Sequence, residues 1–426
     1  MGDWGRGVKH VSHFDGIDSL FERTGGGDVP FLFIGGAHQL FHLAPVAASL
    51  ARLCPDLRVT CLYHDEATGR RLREVRARMD APGLRVEPID LPGWMRAAAR
   101  RLHRPSLLKL PLLRRIARRY RHALAVVSPE RTSAWLRWLG MAETPLIHFR
   151  HGAGDRSPKS EKRLDAFDLI VLPGDKDVER AVHRHGIDWA KLCRCGYVKL
   201  DYLVRHRAGT TARPFDNDRP VVLYNPHFDP RLSSWADAQA VIDAFARQDR
   251  YTLVVAPHIR LGANLSASEK RRWQGMAVPG RILVDLDSDR LVDMHHVLGA
   301  DIYLGDVSSQ LYEFLARPRP VAFLNSHGVD WRGDARYAGW HLGVVTDGPA
   351  SVIDAIDEAV TGHAEHLADQ QAALAHAFGA WRGAAGRGAR IIAQYLGAPM
   401  VAQRPDQGPD QGRGEMASPV KVAAKA

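Results

Sequence analysis

The stretch Gly305-Asp306-Val307-Ser308-Ser309-Gln310-Leu311-Tyr312-Glu313-Phe314-Leu315 decides how the chain is read. The apolar run Ala300-Asp301-Ile302-Tyr303-Leu304 before it is predicted to be a buried strand. Leu311, Tyr312, Phe314 and Leu315 after it fit one helix face, so a helix is expected to start near Ser308. A helix N-terminus carries unpaired N–H groups and partial positive charge. Ser308 and Ser309 there suit either a simple N-cap or a phosphate seat. Glu313, one turn on, suits a ribose or sugar hydroxyl, or a capping box.

Working outward, the same strand-then-helix unit recurs. Phe31–Ile34 is predicted as a strand that ends at Gly35-Gly36 and leads into a helix from about His38 to Leu53. Strands are also expected at 57–63, 84–89, 122–127, 145–149 and 167–172, and 193–198 follows in the same series. After the polar segment 210–220, read as a linker, strands are expected at 220–224, 251–256, 281–283, 300–304, 320–324 and 343–345. Two helices are expected at 350–366 and 368–396. This alternation predicts an α/β chain of two doubly wound, Rossmann-like domains. The expected divisions are an extension over 1–28, domains over 29–209 and 221–398 with a C-terminal crossing helix, and a disordered tail over 399–426, which is rich in Pro, Gln, Gly and Lys.

Ligands of such sheets sit beyond the carboxyl ends of the strands. Gly35-Gly36, His151-Gly152, His227, His258 and Ser308-Ser309 all stand directly after a predicted strand. They are expected to share one interdomain active site. His151 is the candidate base, since imidazole accepts a proton near neutral pH. His258 and Arg260 suit a diphosphate. Among 21 histidines, any single one is more often structural than catalytic. Gly35, Gly36, His38 and Gly152 are candidates for close approach of an acceptor to the backbone.

With 426 residues, 45% hydrophobic and 25% charged, the chain is long enough for two packed domains. No apolar run approaches the roughly 18 residues of a membrane span. Met1 to Lys9 is not followed by an apolar stretch, so no signal peptide is expected. Cys54, Cys61, Cys193 and Cys195 lack disulfide or zinc spacing, which points to reduced thiols in a cytoplasm. The net charge of +10 favours an anionic partner. Between Trp94 and His122 every charged side chain is basic, interleaved with leucines. That stretch fits a helical hairpin on anionic lipid, or the solvated face of an ordinary core helix. Nucleic acid is not expected, because no stacking pattern or docking motif accompanies the charge. No Walker A, HExxH, GxSxG or GxGxxG occurs, and neither a metal nor a cofactor is expected.

Five stretches, in order, resemble the CDP-glycerol glycerophosphotransferases, a family with a GT-B fold. They are His151-Gly152; Gly196-Tyr197-Val198-Lys199-Leu200-Asp201, similar to Gly-Tyr-Pro-Arg-Asn-Asp; Leu223-Tyr224-Asn225-Pro226, similar to Leu-Tyr-Ala-Pro; His258; and Asp306-Val307-Ser308-Ser309 with Phe314, similar to Asp-Tyr-Ser-Ser before a Phe-rich helix. The resemblance implies that His151 deprotonates the acceptor hydroxyl, while His258 and Ser308-Ser309 hold the diphosphate of a CDP-linked donor. It places Arg260, Asp306, Glu313, Tyr224, Asn225, Pro226 and His227 on the donor side. It implies a lipid-linked or glycan acceptor at the inner face of the cell membrane. The chain departs from the family after His151-Gly152, where Ala153-Gly154-Asp155-Arg156 replaces Thr-Pro-Leu-Lys, and after Tyr224-Asn225-Pro226, where His227-Phe228-Asp229 stands. A second resemblance, Leu43-Ala44-Pro45-Val46 to the Leu-Ala-Pro-Val of UDP-N-acetylglucosamine 2-epimerases, implies a UDP-sugar instead.

Overall fold

In the computed structural model the described residues are 27–36, 39–101, 105–152, 154–155, 161–207 and 213–401. His38, the extension up to residue 26, residues 208–212 and the tail from 402 lie outside them. The first sheet has seven strands: β1 Asp28–Phe33, β2 Arg58–Tyr63, β3 Arg85–Pro88, β4 Val126–Ser128, β5 Leu146–Phe149, β6 Leu169–Leu172 and β7 Leu192–Arg194. Their spatial order is β3-β2-β1-β4-β5-β6-β7. The second sheet has six: β8 Val221–Asn225, β9 Thr252–Val255, β10 Ile282–Val284, β11 Ile302–Gly305, β12 Val321–Leu324 and β13 Val344–Thr346. These run in the order β10-β9-β8-β11-β12-β13. The strands pair in parallel throughout both sheets, with Phe31 opposite Cys61 in the first and Leu304 opposite Tyr224 in the second.

Parallel strands covered on both faces need apolar side chains at nearly every position. The runs Val-Pro-Phe-Leu-Phe and Val-Val-Leu-Tyr supply them, and their hydrophobic side chains are buried. Each order reverses at one point: between β1 and β4 in the first sheet, and between β8 and β11 in the second. At such a switch point neighbouring crossovers leave in opposite directions and open a crevice.

The helix Leu40–Leu53 is buried along almost its whole length, between the first sheet and the helix Ala384–Leu396. Gly388 makes that contact close: a Cβ there would lie 3.1 Å from Phe149 and 3.2 Å from Val46. The long helix expected over 368–396 is in fact two, His363–Phe378 and Ala384–Leu396. Gly379 at φ +53 and Gly383 at φ +77 break it with backbone conformations that glycine adopts readily. Asp201, on the helix Val198–Arg207, accepts from Gly383 N at 2.8 Å and Ala385 N at 3.1 Å, so the first domain caps the returning helix.

Residues 289–299 form a short 3-10 turn, 289–291, then a helix, 295–299, parted by Met294 at φ +61. One further local reading changes. In the basic stretch, the helix Lys109–Tyr120 buries Leu112, Leu113, Ile116 and Ala117 in the core of the first domain. Those residues are therefore unavailable to lipid. Arg114, Arg115, Arg118 and Arg119 point outward, with Trp94, Leu107 and Leu110 as exposed apolar neighbours. Among the described residues no helix is long and apolar enough to cross a membrane.

Candidate functional site

The carboxyl ends of the two sheets face each other across a cleft. From the first domain it is lined by His42, Arg150, His151, Gly152, Gly154, Asp155, Tyr197 and Lys199. From the second come His227, Phe228, His258, Arg260, Asp306, Ser308, Ser309, Glu313, Arg336 and Tyr337, among others. Of the strand-end residues, His151-Gly152, His227, His258 and Ser308-Ser309 thus converge, whereas Gly35-Gly36 do not line the cleft. The approach is close: a Cβ on Gly154 would come 3.5 Å from the Ser309 Cβ, and one on Gly152 3.9 Å from the Ser309 hydroxyl.

His151 follows β5. Its Nδ1 lies 3.0 Å from the Pro129 carbonyl, and its Nε2 lies 3.3 Å from the Gln39 amide nitrogen. Burial pulls its pKa down to about 4, against the opposing charge of Glu130, so the ring is neutral at pH 7. Gly35 sits behind it, and neither Gly35 nor Gly36 lines the cleft. A Cβ on Gly35 would fall 1.8 Å from Glu130 Oε1 and 2.2 Å from Gln39 Oε1. Glycine at that position is what admits both side chains.

The second wall follows β8 and β9. His227 Nδ1 accepts from Asp229 N at 3.0 Å, and His258 Nδ1 accepts from Arg260 N at 3.2 Å. In a neutral ring the proton is then on Nε2, so each histidine carries an N–H donor. Phe228 packs against His258 with centroids 4.8 Å apart, and the Arg260 guanidinium lies over its ring at 5.0 Å. Two imidazole donors and a guanidinium on one wall form a surface suited to an anionic group.

Tyr224, Asn225 and Pro226 build that wall from behind. The Tyr224 hydroxyl donates to the Ser234 carbonyl at 2.7 Å, and Asn225 Nδ2 donates to the Ala256 carbonyl at 2.6 Å. His258 N donates to the Pro226 carbonyl at 2.9 Å. Asp306 is buried and ties the same loop to β11, accepting from His227 N at 3.0 Å and Ser234 N at 2.7 Å. Burial raises its pKa to about 6, against those hydrogen bonds. Ser308 Oγ accepts from Gln310 N at 3.2 Å, so it caps the short helix Gln310–Phe314. Ser309 makes no side-chain cap and lines the cleft.

Glu313 points to the other domain. It accepts from Lys199 Nζ at 2.9 and 3.0 Å and from the Tyr197 hydroxyl at 2.6 Å. Asp155, which lines the cleft, also crosses: it accepts from the Tyr312 hydroxyl at 2.5 Å and Gly339 N at 2.9 Å, and from Lys176 Nζ of its own domain at 3.0 Å. It joins the domains. Sequence reasoning missed Arg150, His42 and Arg336. Arg150 is the neighbour of His151, but its guanidinium is held by Asp177 at 2.8 Å and Glu161 at 3.0 Å. His42 lies on a helix whose apolar spacing reads as core, and it meets Tyr197 edge-on at 5.2 Å. Among the described residues no group of three or more His, Cys, Asp or Glu is placed to hold a metal ion.

Two doubly wound domains with the cleft between their strand ends define the GT-B fold. No protein-family model matches the chain, and no curated protein matches it in sequence. Solved structures do share its fold. The wall teichoic acid polymerase TagF, in a CDPG-soaked structure, is similar over 87% of this chain and 88% of that one, at 14% identity and TM-score 0.56. The S. aureus MnaA–UDP structure is similar over 89% and 99%, at 14% identity and TM-score 0.61. A UDP-N-acetylglucosamine 2-epimerase of Neisseria meningitidis bound to UDP-GlcNAc is similar over 87% and 99%, at 15% identity and TM-score 0.53.

Proposed function

We propose that the chain transfers glycerol phosphate, or a similar polyol- or sugar-phosphate, from a CDP-linked donor to a hydroxyl of a glycan or glycolipid acceptor in cell-envelope polymer synthesis. The observation that carries this reading is the pairing across one cleft of neutral His151 with the donor wall of His227, His258 and Arg260. His151 takes the proton of the acceptor hydroxyl. The hydroxyl oxygen attacks the phosphorus distal to the cytidine, and the bond to the bridging oxygen breaks, releasing CMP. The His258 and His227 N–H groups, Arg260 and Ser309 neutralise charge on the phosphates. Positioning and charge stabilisation supply most of the rate for such a transfer. The outward arginines of Lys109–Tyr120, with Trp94, Leu107 and Leu110, suit an anionic membrane surface, which fits a peripheral, cytoplasmic enzyme.

The similarity to UDP-bound structures favours a second reading, a UDP-sugar enzyme built on the same cleft. A thermal-shift comparison of CMP and CDP with UMP and UDP separates the two, since a ligand of the native state raises Tm. The first reading expects the cytidine nucleotides to raise Tm, and CMP release from CDP-glycerol that His151→Ala abolishes. Release of UDP from a UDP-sugar, with no CMP from CDP-glycerol under any acceptor, would establish the second.

A further inference from the structure

The proton positions on His151 are fixed by its surroundings. The Glu130 carboxylate has Lys109 Nζ at 2.7 Å and the Thr132 hydroxyl at 3.1 Å, and Gln39 Nε2 at 2.7 Å. Burial works against its charge, but the hydrogen bond and charge of Lys109 outweigh that and hold its pKa at about 2. An ionised carboxylate only accepts. The atom of Gln39 that faces it must therefore be the NH2, since a carbonyl oxygen at that distance would be repelled. Gln39 Oε1 has no partner among the described residues, so no competing bond turns the amide over. The same NH2, which only donates, faces His151 Nε2. Nε2 must then accept. On the opposite edge, Nδ1 faces a carbonyl oxygen, which also only accepts, so Nδ1 must carry the proton. Both of these contacts demand the same tautomer.

We infer that Gln39 and Glu130 are positioning residues that hold His151 as the Nδ1–H tautomer, with Nε2 presented unprotonated to the acceptor hydroxyl. Lys109 is part of the device, because it keeps Glu130 charged. The incoming hydroxyl replaces the Gln39 N–H as the donor to Nε2, and the proton it gives up moves onto that nitrogen. The tautomer assignment stands on these contacts and on the charge of Glu130. Its link to turnover rests on the transferase reading.

The test is 15N NMR of the imidazole nitrogens at neutral pH, on the full chain, beside acceptor kinetics. Wild type should show His151 with Nδ1 protonated. Glu130→Gln, which lets the Gln39 amide turn its oxygen towards Nε2, should give mixed tautomers; Gln39→Leu should leave Nδ1 protonated through the Pro129 carbonyl; and both should lower kcat 10- to 100-fold, the scale on which partners that orient a ligand act. Their Tm shift with CMP should match wild type, which also shows that they are folded. The double variant Lys109→Met/Glu130→Gln leaves no unpaired charge and should behave like Glu130→Gln. A wild-type ring protonated on Nε2, or variants that keep both the tautomer and kcat, would overturn the inference. The expected tautomer pattern in a protein that turns over no CDP-linked donor would uphold it while sinking the transferase reading.

Discussion

Lys199 and Glu313 form a buried ion pair between the two domains, with the ammonium nitrogen 2.9 Å from one carboxylate oxygen and 3.0 Å from the other. Removing one partner of such a pair leaves an uncompensated buried charge, which costs about 3–5 kcal/mol. Lys199→Ala and Glu313→Leu should each destabilise by that order in urea titration. Lys199→Met combined with Glu313→Leu should recover much of the loss. Equal stability of singles and double would remove the pair from the account.

His151 sets a pH dependence. Its folded pKa of about 4 lies below the ordinary 6.5 of the unfolded chain, chiefly through burial. Between those values the unfolded chain binds more protons, so stability is complete above pH 6.5 and is lost as pH falls towards 4. Two and a half pKa units correspond to about 3 kcal/mol. His151→Gln should flatten that part of the stability–pH curve. The acid limb of kcat/KM should likewise fall well below pH 6.5.

Gly35→Ala places a methyl group against Glu130 and Gln39, with the nearest contact at 1.8 Å. Overpacking of this kind costs about 1–3 kcal/mol. The Tm should drop accordingly, and kcat should drop further than stability explains, because both displaced side chains bear on His151. A variant with wild-type kcat would contradict the close approach.

Asp201→Ala removes the acceptor of Gly383 N and Ala385 N. Loss of a helix cap costs about 0.5–2 kcal/mol. Hydrogen exchange should rise first at the start of Ala384–Leu396. Unchanged protection there would mean that the cap contributes nothing.

The strands were legible because parallel, doubly covered strands have to be apolar, and Phe31–Ile34 or Val221–Tyr224 cannot be read otherwise. His151, His227 and His258 were legible because each stands two or three residues past such a strand. Residues whose role depends on a distant partner were not. Lys199 meets Glu313 across 114 positions, and nothing local to either announces the other. The ten basic residues from Arg96 to Arg121 look alike in sequence, yet Lys109 alone is seen turned onto Glu130. The break near Gly379 was hidden because apolar periodicity continues on both sides of it.

The helix Ala384–Leu396 belongs to the first domain's outer layer but is made last among the described helices. During synthesis, the face of Leu40–Leu53 that it covers stays bare while well over three hundred residues emerge. The first domain therefore cannot complete its packing in the order of translation. Its assembly waits on the second domain, and a nascent chain carrying only the first would present an open apolar groove to chaperones.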